Sequence, residues 1–288
     1  MILPKFAKYL LDFSLDHEKY EGYWNYLGLH KSDPAGSDLR QLRMNLGSAF
    51  RLHDNIQSFA VIPYIININQ YTGIKSNTYG AGDITIGVNF EAFDDIRCVY
   101  RVLSFNDIIP AAYFGLKLTI PTGLSPYDKV ENSFDITGLG FYTASFTVLL
   151  DKTIKSYNFT LSGSYSINAE RPVNREYGRY VEPYSVQPGG KLNFSASTGY
   201  TFAFDSMDSL TFTLGYSYIM ESLWKINNVE NVFSGFYKHA LSAGLAFSSA
   251  DQNHIIKIMN TINLPLTGWG MNKPTSYTTT LEYSYVIR

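Results

Sequence analysis

GGKLNFSASTGYTFAFDSMDSLTFTLGYSYIME, residues 189–221, reads as two strands joined by a short turn. Every second residue from Leu192 (Leu192, Phe194, Ala196, Thr198, Tyr200, Phe202, Phe204) makes a greasy face, while Asn193, Ser195, Ser197, Gly199 and Thr201 between them are small and polar. After Asp205–Ser209 the same rhythm returns as Leu210, Phe212, Leu214, Tyr216, Tyr218 and Met220 against Thr211, Thr213, Gly215, Ser217 and Glu221. A period of two puts each set on its own side of a β-strand, so two long strands share one apolar face.

The rhythm recurs along the chain. Working outward, it predicts strands over about 7–16, 39–52, 56–70, 84–91, 109–121, 136–150 and 155–168 before the hairpin, and over 236–248, 253–266 and the stretch around Tyr277–Tyr285 after it. Pro63 removes a ladder donor from the third and marks a bulge. Residues 94–108 (DDIRCVYRVLSFNDI) break the pattern and read as an amphipathic turn of helix, a strand extension, a plug or a periplasmic insert. Links after strands 2, 6, 8 and 10 are short, whereas those after strands 1, 3, 5, 7, 9 and 11 are longer, the link after strand 4 being the exception, with 17–38, 169–188 and 222–235 the expected outer loops. Alternation of short turns and long loops is the habit of an outer-membrane barrel. The predicted fold is therefore all-β, an antiparallel up-and-down transmembrane β-barrel of about 12 strands in a single domain.

Composition agrees. The 288 residues include 23 Tyr and 19 Phe, only 17% are charged, and mean hydropathy is −0.10, so apolar residues are interleaved with polar ones rather than gathered in blocks. No run of 18 apolar residues offers a membrane helix, but a barrel strand needs only about 9–11 alternating residues. A net charge of −2 carries no basic footprint for nucleic acid. Cys98 stands alone, which excludes an internal disulfide, a CxxC site and a thiolate zinc cluster; the five histidines have no metal-ligand spacing and no cofactor is expected. The N-terminus MILPKFAKYLLDF lacks the apolar core and cleavage site of a secretory leader, and a leader is expected to have been removed ahead of it.

Which face turns inward decides the solvent. A soluble barrel buries its apolar face and shows water a charged one. Here the polar set is Ser, Thr, Asn and Gly, too small and neutral for a solvent face. Twelve strands of Tyr, Phe and Leu would also crowd an interior. Turned outward, those side chains meet a lipid bilayer and the small polar set lines a lumen. Tyr9, Tyr157, Tyr277 and Phe204 then fall near strand ends as interfacial aromatics.

GAGDITIG (Gly80–Gly87), LKLTIPTG (Leu116–Gly123), the stretch Phe134–Tyr142 and PGGKLNFSASTGY (Pro188–Tyr200) resemble the pattern of bacterial outer-membrane proteins of the phenol-degradation meta-pathway transporter family. That pattern has a GxGD strand start, an LKLPTG strand end and a PGD-like start to a long hairpin. The resemblance covers roughly residues 80–220 and implies an outer-membrane channel or transporter for hydrophobic or aromatic small molecules. Ile120 precedes the PTG here, Gly190 stands where an acid is usual, and Arg288 ends the chain where barrels commonly present an aromatic to the assembly machinery, Tyr285 being the nearest.

Carried through, the alternation points Asp12, Asp16, Arg43, Arg51, Glu91, Lys117, Lys191, Glu221, Lys238, Lys257 and Glu282 into the lumen with nearly balanced sign, beside Tyr113 and Asn193. Closure would gather Glu282, Asp12, Asp16, Arg43 and Arg51 into one sector, either to orient a solute or to brace the wall as an ion-pair ladder. Two other functions stand beside the channel. A lipid-facing phospholipase would use His239 and Asn260 on outward positions, although no outward serine adjoins them. A structural or adhesive barrel would act through 17–38 and 169–188, which carry Arg171, Arg175, Arg179, Tyr177, Tyr180 and Tyr184. Residues 1–6 or 94–108 are the expected plug.

Overall fold

Each alternating stretch is extended, and each pairs antiparallel with the next. The computed structural model describes residues 2–4, 7–92 and 98–288. Twelve strands among them form one closed sheet: β1 Tyr9–Trp24, β2 Asp38–His53, β3 Ile56–Tyr71, β4 Ile74–Ala81 continued by Ile84–Ala92, β5 Ala111–Ile120, β6 Thr143–Ile154, β7 Tyr157–Asn168, β8 Lys191–Ala203, β9 Ser209–Glu221, β10 Phe236–Ser248, β11 His254–Ile262 and β12 Lys273–Ile287. β12 returns to β1 from Tyr9↔Ile287 to Trp24↔Lys273, so no barrel edge is left open.

The greasy set faces outward, with Leu11, Phe13, Leu46, Ile62, Phe146 and Leu214 all exposed. Ser14, Asn67, Asn89, Ser166 and Ser284, on the opposite face, are buried inside. One end of the barrel has the tight connections 54–55, 155–156, 204–208 and 249–253 together with the longer link between β4 and β5; the other has the remaining long ones and the turn at 72–73.

Several strands outrun their hydrophobic pattern. β1 extends to Trp24 because His17, Lys19 and Glu21 continue its outward face beyond the apolar belt, where charge is no obstacle to extension. The expected loop 71–80 is instead a two-residue turn. Thr72 (φ 38°) and Gly73 (φ 89°) both take positive φ, the geometry of a tight hairpin, and Ile74–Ala81 folds back along Tyr64–Tyr71. The bulge expected at Pro63 lies across from it: the β3–β4 register slips by one residue at Gly82-Asp83, and the Gly82 N–H donates to Pro63 O at 2.8 Å. β6 begins at Thr143 rather than near 136, because 121–142 is irregular.

Outside the barrel, Arg171–Glu176, Arg179–Gln187, Trp224–Ile226 and Val229–Asn231 form a four-stranded sheet over the long-loop end. At the short-turn end Cys98–Val99 runs parallel to Thr153–Ile154, followed by a 3₁₀ turn at Phe105–Ile108; residues 94–97 lie outside the described residues. Ala112 and Lys152 occupy outward registers yet are buried, and the Lys152 ammonium donates to Ile109 O at 3.0 Å. Cys98–Val99 thus adds to the end of β6 in the plane of the sheet, and the chain at Ile109 covers the outward Lys152.

Leu116, in the middle of β5, is 66% exposed and tests the solvent of the belt. Leu116→Arg is expected to cost about 2–4 kcal/mol of unfolding free energy in liposomes, as a midplane arginine does, whereas in water it would be neutral. Denaturant titration of vesicle-inserted protein measures the difference.

Candidate functional site

At the short-turn end the described N-terminal residues, 2–4 and 7–8, enter the lumen and form a stopper against its wall. Leu3 is completely buried; its N–H donates to Gln57 Oε1 at 2.8 Å and its carbonyl accepts from Gln57 Nε2 at 3.2 Å. Leu3 and Ala7 pack against the inward Leu10, Ala49, Phe59 and Val286. Arg51 holds the segment from below, donating to Pro4 O at 2.9 Å and Ala7 O at 3.2 Å, also bonding Asp54 O, and lying 3.4 Å from Glu91. Glu91 also accepts from Gln57 and from the Tyr113 hydroxyl.

At the long-loop end the segment 121–142 folds inward. The carboxamides of Asn67 and Asn69, on the inner face of β3, donate to Ile136 O at 2.9 Å and Phe134 O at 2.7 Å, and Thr78 donates to Asp135. One acid anchors this loop: Asp83 Oδ1 accepts from the Gly123 N–H at 3.0 Å, and Oδ2 from the Leu139 N–H at 2.8 Å. The Thr122 hydroxyl bonds Gly82 O at 2.6 Å and receives the Ile84 N–H. A Cβ on Gly138 would stand 2.2 Å from Asp83 Oδ1, so the backbone can approach only as glycine. The GAGD and PTG stretches thus meet in space and form one clasp.

Between stopper and clasp run three cavities along the sector of β1, β2 and β12. The lowest, about 520 Å³, is lined by Asp12, Ser14, Asn45 and Glu282 with Leu10 and Val286. The next, about 230 Å³, is bounded by Asp16, Glu18, Gln41, Arg43 and Thr280. The third, about 350 Å³, shares Gln41 and lies under the inward loop between Tyr20, Asn67, Asn69 and Phe134. The predicted sector Glu282, Asp12, Asp16 and Arg43 is therefore assembled, with Arg51 below it at the stopper.

Its chemistry is mostly hydrogen bonding to neutral groups. Asp12 accepts from the Ser284 hydroxyl, Asp16 from Thr280 at 2.7 Å and Asn45 at 3.1 Å, and Arg43 donates to Gln41 at 2.5 Å. Lys257 and Glu282 form an ion pair at 3.3 Å. Lys117 points inward from β5 between its register partners Gly87 and Ser145, far around the wall, and Asn193 lines β8. Glu221 accepts from Trp224 Nε1 at 2.5 Å, and Lys238 donates to Ser276 at 3.4 Å. Sequence reasoning missed Gln57, Asn67, Asn69 and Asp83 as holders of irregular chain, and Glu18 and Lys273 as lumen charges. The signal for Asp83 was its place in the GAGD stretch.

Outside the lumen, His239 lies among the rings of Tyr216, Tyr218, Tyr237 and Trp269 and bonds the Tyr216 hydroxyl at 2.6 Å. Asn260 accepts from Tyr277 and Thr279. Asn260 registers with Ala243, four residues along β10 from His239 and so about 13 Å away. The two do not form a catalytic pair. Of the expected outer loops, 169–188 and 222–235 supply the four strands of the outer sheet. That sheet shares a small core of Phe141, Val173 and Val186 with the clasped loop. There Tyr127 is pushed up to about 12, chiefly by burial and next by Glu176.

No protein-family model matches the chain, and no curated protein matches it. Among solved structures it is similar to the COG4313 outer membrane channel from Pseudomonas putida F1, with 14% identity, a TM-score of 0.73, and coverage of 99% of this chain and 97% of that one. It is also similar to the β-domain of the Bordetella autotransporter BrkA, with 9% identity, a TM-score of 0.54, and coverage of 98% and 100%. At such identity the likeness is one of fold: the chain has the barrel architecture found in outer-membrane proteins.

Two substitutions test the two closures. Asp83→Ala removes an ionised acceptor worth about 1.5–3 kcal/mol per bond, and protease cleavage within 121–142 is expected to accelerate, with Asp83→Asn intermediate. Gln57→Ala leaves the Leu3 amide and carbonyl buried without partners, at about 1–3 kcal/mol each, and hydrogen exchange at Leu3 is expected to quicken at least tenfold.

Proposed function

We propose that this protein is an outer-membrane channel that admits small solutes through a narrow polar lumen. The observation that carries the reading is the row of three cavities spaced between the inward loop and the N-terminal stopper inside a barrel with an apolar outer face. In a bilayer that face is solvated by hydrocarbon and the closed ladder leaves no backbone group unpaired. The long-loop end then faces outward and the short-turn end the periplasm. A barrel of this kind also needs the outer-membrane assembly machinery as a partner.

The finer reading is a solute with an aromatic or hydrophobic body and a polar group, as the resemblance to the phenol-degradation meta-pathway transporter family implies. The lowest cavity offers Leu10, Val61, Ile255 and Val286 beside Asp12 and Glu282, and the highest offers Tyr20, Tyr71 and Phe134 beside Asn67 and Asn69. Such mixed walls suit a ring that carries a hydroxyl. With Leu3 buried among its neighbours, passage requires the N-terminal segment to yield.

In liposomes the protein is expected to admit phenol-sized solutes and to conduct weakly. Gln57→Ala should raise single-channel conductance several-fold by loosening the stopper. Joint replacement of Arg43, Lys117 and Lys191 by Gln should shift the reversal potential toward cation selectivity. Absence of both flux and conductance would refute the channel.

A further inference from the structure

Beside the clasped loop, the outer mouth holds a fourth cavity of about 370 Å³, whose lining includes Phe141, Trp224 and Phe236, the cations Lys191 and Lys273, and the carboxylate of Glu221. Lys191 and Glu221 are direct cross-strand partners, the placement in which opposite charges ordinarily pair. Here they do not. The Glu221 carboxylate accepts from Trp224 Nε1, while the Lys191 ammonium stands 5.9 Å from the centre of the Phe236 ring. The Lys273 ammonium stands 4.1 Å from the centre of the same ring. Lys238, two residues along β10 on the same inward face as Phe236, adds a third cation held only by Ser276. Among the described residues no carboxylate oxygen comes within 4.0 Å of any of these three ammonium groups.

Two cations converging on one ring repel each other. The ring face attracts each of them, but it neutralises neither. We propose that this cavity is a binding site for an organic monoanion with a flat apolar body, an aryl carboxylate or sulfonate, whose head sits between Lys191 and Lys273 while its ring packs on Phe236, Trp224 and Phe141. An inorganic anion would satisfy the lysines and leave the aromatic wall wet. A neutral aromatic would cover the wall and leave the cations unpaired. Only an anion that carries a ring uses both halves of the site. The inference rests on the channel reading for how the ligand arrives, but not for whether it binds.

The test uses the folded barrel in detergent with 4-fluorobenzoate and its neutral counterpart 4-fluorobenzamide, followed by fluorine NMR titration. Fluorobenzoate is expected to bind at least tenfold more tightly than the amide, and added sodium sulfate to weaken it. Lys273→Gln should abolish most of that preference, Lys273→Arg should keep it, and Lys191→Gln serves if the first variant does not fold. Equal binding of acid and amide, no binding of the acid, or a preference unchanged in both glutamine variants would overturn the site. Phenol flux through liposomes, measured on the same preparation, reports separately on the channel.

Discussion

Closure of the sheet between β12 and β1 is the constraint on which everything else in this molecule depends. Once Tyr9 pairs with Ile287 and Trp24 with Lys273, no barrel strand has a free edge, and the period-two alternation must sort every side chain to the inside or the outside. The apolar set goes outward because a ring of twelve strands cannot hold so many aromatic residues within it. The inside is then left with small hydroxyls and amides, which pair across neighbouring strands, as Ser145 with Ser166, Ser162 with Ser195, and Thr201 with Thr211. Such walls are smooth and narrow-stepped, and they leave room that irregular chain can enter.

Irregular chain inside a barrel brings a second problem: its backbone groups have no ladder to join and cannot be buried unpaired. The two ends solve it with opposite charges. At the stopper the arginine fork of Arg51 supplies donors to the carbonyls of Pro4, Ala7 and Asp54, with Glu91 at its back. At the clasp the carboxylate of Asp83 accepts from two backbone N–H groups, and side-chain amides from β3 donate to the carbonyls of Phe134 and Ile136. Charge-assisted bonds are about twice as strong as neutral ones, which is why a single side chain can organise each closure.

The barrel was legible in the sequence because its signal is local: Leu192–Phe204 and Leu210–Met220 need no partner to be read as amphipathic strands. Strand ends were harder wherever hydropathy and backbone part company. At His17–Trp24 the chain keeps its extension after the apolar belt stops, and at Lys75–Tyr79 polar residues form a strand whose apolar neighbours lie only across the hairpin. The lumen sector of Asp12, Asp16, Arg43 and Glu282 was readable from alternation plus closure. The stopper was readable only as a possibility, since nothing local in Leu3 or Gln57 says that they will meet. Asp83 was quoted within its motif without a role, because its partners, the N–H groups of Gly123 and Leu139, belong to a loop with no period to read.

The placement of charge in the lumen sets a limit on what an anion at the mouth can do. Asp12, Asp16, Glu18 and Glu282 all hang from β1 and β12, along the very sector where the cavities run. Lys191 and Lys273 cluster instead at the mouth. In a narrow passage with low-dielectric walls, like-charge interactions are only weakly screened and the local field decides what enters. Even with Arg43 and Lys257 in that sector, an anion held at the mouth would face more acids than cations and be retained, whereas a neutral solute with a hydroxyl would find acceptors at each step. Under the proposed channel reading, retention at the lysines and passage along the acids would be separate selections made in series. An occupied mouth would neutralise the lysines that oppose cation entry, so binding there would alter which ions flow without moving any strand.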